Sequence, residues 1–342
     1  MSKIPVTVIT GFLGSGKTTL LNRALRSPRL KSTVVIVNEF GEIGLDHDLI
    51  ETSSDSVILL PNGCLCCSVK GDLVITLTDL YQKRLRGEIP DFDHIVIETS
   101  GLAEPTPVMD VLLTHPGIKS AFVPAGTLAT VDAVNGLHTL DNHEQSQKQI
   151  ALASHIIITK ADIQEPCVEF LARLQALNPV AVITDARSAD VEALFRGAPE
   201  EWSDRSLGIS LADTAAGAHA SHRHNAHIKR FSVVRDHPWS LEMLRLFLDA
   251  LATNAGPSLL RVKGIIHVQE SPQYPAVVHG AQQLMHSLAW LSKWPSDDRR
   301  TRIVFITVNH DANEMRELIE YVERLSSRTR LVRQSCEKAT AT

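Results

Sequence analysis

The stretch "GFLGSGKT", Gly11–Thr18, follows the β-branched run "VTVIT", Val6–Thr10, and opens a helical pattern near Lys17–Arg26. It has the form G-x-x-x-x-G-K-T, in which glycines let backbone N–H groups converge on phosphate oxygens. The helix that follows adds the partial positive charge of its N-terminus. Motif and context together therefore predict a phosphate loop between a strand and a helix.

The residue types in this loop predict separate roles. Lys17 should reach the β- and γ-phosphates of a nucleotide, and the Thr18 hydroxyl should bind Mg²⁺. The residues of this stretch that we expect to hold the nucleotide are Gly11, Gly14, Ser15, Gly16, Lys17, Thr18 and Thr19.

A second Mg²⁺ element is expected where a later strand ends. The stretch "IVIETSG" places Glu98 just beyond an apolar run, with Gly101 three residues on. A carboxylate at this point can hold Mg²⁺ through water or orient the attacking water, although an ordinary glutamate at a strand end would look the same. We therefore predict that Lys17, Thr18 and Glu98 are the catalytic residues.

The stretch "TKAD", Thr159–Asp162, resembles the guanine-reading N-K-x-D motif of GTPases. Asp162 could accept hydrogen bonds from guanine N1–H and N2–H, donors that adenine lacks, and such a buried mismatch discriminates strongly. The alkyl stem of Lys160 would cover the base. Thr159 stands where the motif has asparagine, which leaves the strictness of guanine selectivity open.

Short, continuous apolar runs recur through the first half of the chain. Such runs are typical of strands that are covered on both faces, as in a parallel sheet flanked by helices. The sequence therefore predicts an α/β fold, a P-loop NTPase domain with a mostly parallel sheet. Besides the first run, the expected strands are Thr33–Asn38, Ser56–Leu60, His94–Ser100, Leu128–Ala133, His155–Lys160 and Val180–Thr184.

The pattern changes in the second half of the chain. We expect the P-loop domain to cover residues 1–205, a His-rich linker residues 206–227, a smaller C-terminal α+β domain residues 228–333 and a tail residues 334–342. The linker histidines could gather metal or could simply be polar. They are His219, His222, His224 and His227.

Composition argues against two classes of partner. The net charge is −5 and the pI is near 6.3, without the basic footprint of a nucleic-acid binder. The sequence contains no run of about 18 apolar residues, so we expect no membrane span. The N-terminus shows no signal-peptide pattern, so we expect a cytoplasmic protein, and clustered thiols in such a compartment point to metal or redox chemistry.

Three of the five cysteines, Cys64, Cys66 and Cys67, lie in the stretch "LPNGCLCCSV". In an extended chain Cys64 and Cys66 would share a face, and Cys67 could join them if the chain turns. Thiolates of this kind suit tetrahedral Zn²⁺, and three protein ligands leave one position open. A redox pair or inert packing thiols are the alternatives.

Several motifs in this order resemble the CobW-type metallochaperone GTPases, relatives of the urease and hydrogenase nickel-insertion GTPases. They are the phosphate loop, "NEFGEIGLD", "GCLCC", "ETSGLAEP", "TVDA", "EQSQKQIALASHIIITKAD" and a small C-terminal domain. The resemblance implies GTP and Mg²⁺ as cofactors and Zn²⁺, or Co²⁺, on Cys64, Cys66 and Cys67. It also implies handover of the metal to a client metalloprotein, and it admits a nucleotide-dependent dimer.

The acidic stretch "NEFGEIGLD" lies where a GTPase places a nucleotide-sensing loop. Glu42 is the carboxylate that we expect near the thiols, although an exposed acidic loop without a bound metal would have the same sequence pattern. The γ-phosphate orders such loops and its loss releases them. Metal affinity would then depend on which nucleotide is bound, and by linkage the bound metal would change the affinity for the nucleotide.

Two other functions use parts of the same sequence. A metabolic P-loop kinase would share Gly11–Thr18 but would need an acceptor site and no "GCLCC". The intact Lys17, Thr18 and Glu98 argue against a passive zinc store with a vestigial GTPase. The sequence does not identify the client protein or the physiological metal.

Overall fold

The computed structural model describes residues 3–38, 57–59, 68–196, 228–254, 258–281, 284–285, 288–308 and 313–326. The chain divides into two compact units, Met1–Glu201 and Trp202–Thr342. None of the described helices is both long enough and apolar enough to cross a membrane.

The first unit alternates strands with helices. Its described strands are β1 Ile4–Gly11, β2 Thr33–Asn38, β3 Val57–Leu59, β4 His94–Thr99, β5 Phe122–Asp132, β6 His155–Thr159 and β7 Val182–Asp185. Its described helices are α1 Lys17–Leu25, α2 Ser68–Arg86, α3 Thr106–Thr114, α4 Pro116–Ala121, α5 Gly136–Asn142, α6 Glu144–Leu152, α7 Val168–Leu177 and α8 Val191–Arg196. A 3₁₀ turn, Pro28–Leu30, follows α1.

The strands form one sheet in the order β3-β2-β4-β1-β5-β6-β7, and each neighbouring pair runs parallel. Helices cover both faces. Leu77 of α2 belongs to the core on one face, and Leu21 of α1 and Phe195 of α8 belong to the core on the other. The predicted helix-flanked parallel sheet is confirmed, and burial on both faces explains the continuous apolar runs.

Strand β5 begins at Phe122, six residues before the expected Leu128. The sequence signal was misleading because Pro124 and Gly126 interrupt this part of the strand. Here β5 pairs with β1, while its pairing with β6 starts only at Leu128 opposite His155. A strand segment that is paired on one side tolerates proline, which has no N–H to donate.

The second unit is an antiparallel sheet with helices. Its described strands are β8 Ile228–Arg235, β9 Leu259–Ile266, β10 Ala276–Ala281, β11 Leu284–Met285, β12 Ala289–Trp290 and β13 Thr301–Val308. Helix α9 is Leu241–Asn254, and a closing helix, α10, occupies residues 313–326. The strand order is β11-β10-β9-β13-β8, with β12 paired to β10.

The core of this second unit explains the helical spacing of its leucines. Phe247 of α9 and Ile319 of α10 belong to one cluster with Ile303 and Phe305 of β13. Both helices therefore bury their apolar faces in the same core as that strand. The smaller α+β domain expected from the sequence is confirmed.

Candidate nucleotide and metal site

The loop between β1 and α1 is shaped by glycines. Gly11, Gly14 and Gly16 have φ angles of 140°, 67° and 90°, a region that other residues rarely adopt. Gly16 precedes the first residue of α1, and that helix has no acidic side chain in its first turn. Backbone N–H groups at a helix N-terminus and the partial positive charge there favour the binding of an anion such as phosphate.

Close packing beneath the loop leaves no room for a side chain at Gly11. A Cβ there would lie 2.4 Å from Thr130 Oγ1 and 2.7 Å from Ser15 Oγ. These two hydroxyls are hydrogen-bonded to each other at 2.7 Å, and both residues are buried. The phosphate loop therefore packs directly against the end of β5.

Lys17 folds back over the loop. Its Nζ donates to the carbonyl oxygens of Gly11 at 2.9 Å and Phe12 at 3.1 Å, and the residue is 9% exposed. The ammonium group of Lys17 therefore lies at the predicted phosphate loop, and its contact with the β- and γ-phosphates stays a prediction.

The two predicted Mg²⁺ residues are in direct contact. Thr18 Oγ1 donates to Glu98 Oε1 at 2.8 Å, and Glu98 is 5% exposed at the carboxyl end of β4. A hydroxyl and a carboxylate are hard oxygen ligands of the kind that Mg²⁺ prefers. The donor set at the start of α1 therefore fits Mg²⁺ bound together with a nucleotide phosphate.

The residues after Glu98 lie against the phosphate loop. A Cβ on Gly101 would come within 2.7 Å of the backbone nitrogen of Leu13, so only glycine fits this approach. The Gln149 amide of α6 donates to the Gly101 and Ala103 carbonyl oxygens at 3.1 and 2.9 Å. Sequence reasoning missed Gln149, because its partners lie more than 45 residues away, at separations of 48 and 46.

Lys148, also in α6, forms ion pairs with Glu104 at 2.9 Å and Glu144 at 3.2 Å. Burial alone would lower the pKa of Lys148, but the hydrogen bonds and charges of the two carboxylates outweigh burial and raise it. Lys148 therefore stays protonated, and its ion pair with Glu104 joins α6 to the residues after Glu98.

The predicted base-reading stretch is tied to the phosphate loop through Thr159. Its hydroxyl donates to the Ser15 carbonyl oxygen at 2.6 Å, and the residue is 7% exposed. A Cβ on Gly16 would lie 3.3 Å from the Thr159 side chain. Thr159 thus faces the phosphate loop, while Asp162, three residues on, is exposed.

Lys160 adopts φ 55°, the one positive φ outside glycine in the part of the chain that is described. Its Nζ lies 3.6 Å from Asp132 Oδ2. Asp132 is 6% exposed, and its Oδ1 accepts from the Asn135 N–H at 2.6 Å. Sequence reasoning did not assign Asp132, although a carboxylate that ends an apolar strand in "TVDA" was a usable signal.

The remaining predicted metal ligands, Cys64, Cys66, Cys67 and Glu42, lie outside the described residues, as do the four linker histidines. Within the described ranges, no three His, Cys, Asp or Glu side chains are grouped so that they could hold a metal ion. The metal assignments therefore stay predictions.

The strand before the cysteines does have a described position. Leu59 ends β3 and lies in register with Val37 of β2, which lies in register with Glu98 of β4. Neighbouring strands are about 4.8 Å apart. Leu59, the last described residue before the cysteine stretch, therefore lies in the same row as Glu98 and two strands, about 10 Å, away from it.

Two family models match the chain. The one described as "CobW/HypB/UreG, nucleotide-binding domain" matches residues 5–184. The one described as "Cobalamin synthesis protein cobW C-terminal domain" matches residues 228–323.

Curated relatives match all or part of the chain. The zinc chaperone YjiA of Escherichia coli is 31% identical over 319 residues, which are 92% of this chain and 98% of that protein. The zinc-regulated GTPase metalloprotein activator 1 of Schizosaccharomyces pombe is 34% identical over 170 residues, 48% of this chain and 40% of that protein.

A solved structure supports the fold over both units. The Zn(II)-bound YjiA GTPase of E. coli matches with a TM-score of 0.68 and 24% identity, covering 94% of this chain and 99% of that one.

Proposed function

Since the chain belongs to the CobW/HypB/UreG family of P-loop GTPases, we propose that it hydrolyses GTP with Mg²⁺ and uses the cycle to deliver Zn²⁺, or Co²⁺, to a client metalloprotein. The observation that carries the proposal is the 2.8 Å hydrogen bond from Thr18 to Glu98. It joins the hydroxyl of the phosphate loop to a buried carboxylate, the pair that Mg²⁺-dependent phosphoryl chemistry needs at one point.

The phosphates would be held by the N–H groups of the loop and by Lys17. Thr18 and Glu98 would hold Mg²⁺, which supplies positive charge to the transferring phosphate when it is bound. Glu98 would also be able to orient a water through its carboxylate. These roles follow because a helix N-terminus, an ammonium group and a carboxylate all lie at the phosphate loop.

Guanine is the base that we propose. Asp162 is exposed and able to accept from guanine N1–H and N2–H, and the stem of Lys160 would cover the base. The ion pair with Asp132 supports this placement of Lys160. Thr159 stands where the motif has asparagine, and its hydroxyl donates to the Ser15 carbonyl oxygen. Thr159 would therefore act on the phosphate loop, and the selection of guanine would rest on Asp162.

The cargo metal would be bound by Cys64, Cys66 and Cys67, with Glu42 as a further ligand. Support comes from the names of the relatives, a zinc chaperone and a zinc-regulated metalloprotein activator, and from thiolate chemistry. The register of Leu59 with the row of Glu98 supports coupling of the metal to the nucleotide. We propose that the cytoplasm is the compartment, since the thiols stay reduced there.

Partners follow from the same reasoning. A client metalloprotein is proposed, and a nucleotide-dependent dimer is one assembly in which handover would take place. We propose no nucleic-acid partner, because the net charge of −5 gives no basic footprint. We propose no membrane partner, because the sequence contains no run of about 18 apolar residues.

The test is product analysis with radiolabelled GTP and Mg²⁺. We expect GDP and inorganic phosphate, and we expect Lys17→Ala to abolish hydrolysis because it removes the cation over the transferring phosphate. Label in a phosphorylated third molecule would favour a metabolic kinase. Metal binding without hydrolysis would favour a passive zinc store, and unchanged hydrolysis in Lys17→Ala would contradict the phosphate-site assignment.

A further inference from the structure

Helix α6 holds the residues that follow Glu98, here called the 101–104 segment. The Gln149 amide nitrogen donates to two carbonyl oxygens of this segment, those of Gly101 at 3.1 Å and Ala103 at 2.9 Å. Gln149 is 1% exposed, and its Oε1 has no hydrogen-bond partner. In this arrangement the side chain acts on the segment through its N–H donors alone.

The 101–104 segment is pressed between α6 and the phosphate loop. Gly101 approaches Leu13 so closely that a Cβ would meet the Leu13 backbone at 2.7–2.8 Å. On the outer side Lys148 is paired with Glu104 at 2.9 Å. Two successive α6 residues therefore hold a segment whose inner side touches the loop that would bind phosphates.

The start of α6 touches the phosphate loop as well. The ring of His143, the residue before α6, stacks on Phe12 with centroids 4.5 Å apart and planes 24° apart. Helix α6 thus contacts both the phosphate loop and the 101–104 segment, and Gln149 and Lys148 hold the segment against that loop.

We infer that Gln149 is a positioning residue for the γ-phosphate, because it clamps the 101–104 segment against the phosphate loop. This inference rests on the proposed GTPase function. GDP has no γ-phosphate, so its binding needs the phosphate loop but not the clamped segment. Loss of the clamp should therefore weaken the binding of a GTP analogue selectively.

The test measures affinities of the full chain for a non-hydrolysable GTP analogue and for GDP, with Mg²⁺, by calorimetry. Gln149→Met keeps the side-chain length and removes the donors. We expect about tenfold weaker binding of the analogue, as the loss of buried hydrogen bonds suggests, with GDP changed by less than about twofold. Gln149→Glu should be at least as weak, because it places a carboxylate against two carbonyl oxygens.

Gln147→Met is the matched control. Gln147 lies in the same helix, is also 1% exposed, and donates its amide to the Leu140 carbonyl oxygen in α5 instead of to the segment. The same substitution there should leave the ratio of the two affinities unchanged. Glu104→Gln, which breaks the outer ion pair, should weaken analogue binding in the same direction but less.

Amide hydrogen exchange provides a readout that is independent of binding. With the analogue bound, the 101–104 amides should exchange faster in Gln149→Met than in the wild type, with thermal unfolding checking that the variant is folded. Equal losses for analogue and GDP, or unchanged exchange in the segment, would overturn the inference. Failure of the wild type to bind either guanine nucleotide would instead overturn the proposed function.

Discussion

Replacing Thr159 by valine tests how the base-reading stretch is joined to the phosphate loop. The change removes one hydroxyl and nearly keeps the side-chain volume. That hydroxyl donates to the Ser15 carbonyl oxygen at 2.6 Å, and Thr159 is 7% exposed. Leaving a buried carbonyl without this bond costs about 1–3 kcal/mol.

Part of that cost should be visible in nucleotide affinity, because one nucleotide must contact both loops at once. The bond also exists without nucleotide, so we expect the low end of the range, about 1 kcal/mol or fivefold weaker binding. The loss should be the same for GDP and ADP, since the hydroxyl faces the phosphate loop.

The assay is calorimetric titration with GDP and with ADP in the presence of Mg²⁺. Thr159→Ser is the matched control, because it keeps the hydroxyl, and it should bind nearly as the wild type does. Asp162→Asn is the contrasting variant, because it should lower the preference for GDP over ADP.

Two results would refute this reasoning. If Thr159→Val lost the preference for GDP but kept its affinity for ADP, the side chain would be acting on the base. If Thr159→Ser bound as weakly as Thr159→Val, the methyl group and not the hydroxyl would be responsible.

Two predictions concern the metal and the pH dependence of folding. Co²⁺ bound through Cys64, Cys66 and Cys67 should give thiolate charge-transfer and tetrahedral visible bands that the triple Cys→Ser variant lacks; unaltered spectra in that variant would move the site to the histidines of 219–227. For the 1%-exposed His94, burial, and then the positive charge of Arg196, lowers the pKa from 6.5 to about 4. Between these pH values the unfolded chain takes up a proton that the folded protein does not, so the free energy of unfolding should fall by up to about 3 kcal/mol as the pH falls. Urea unfolding of His94→Gln should show a smaller fall, and an equal fall would contradict the assignment.

Local sequence was enough to predict the α/β fold and the position of its phosphate loop. Gly11–Thr18 lies between a strand and a helix as predicted, because a turn with three positive-φ glycines and the helix after it are local features. The apolar runs predicted the parallel sheet because burial on both faces leaves its mark within each strand. Glu98 could be singled out because it directly follows the apolar run of β4, a strand that ends at Thr99.

Only the tertiary structure showed which residues join these pieces. Thr159 meets Ser15 across 144 residues and Gln149 meets Gly101 across 48. Such hydrogen bonds depend on the order of the strands, β4-β1-β5-β6 at this point of the sheet, and no local pattern records that order. The carboxyl ends of parallel strands meet at one edge, so residues far apart in sequence become neighbours there, and their contacts follow from topology and not from propensity.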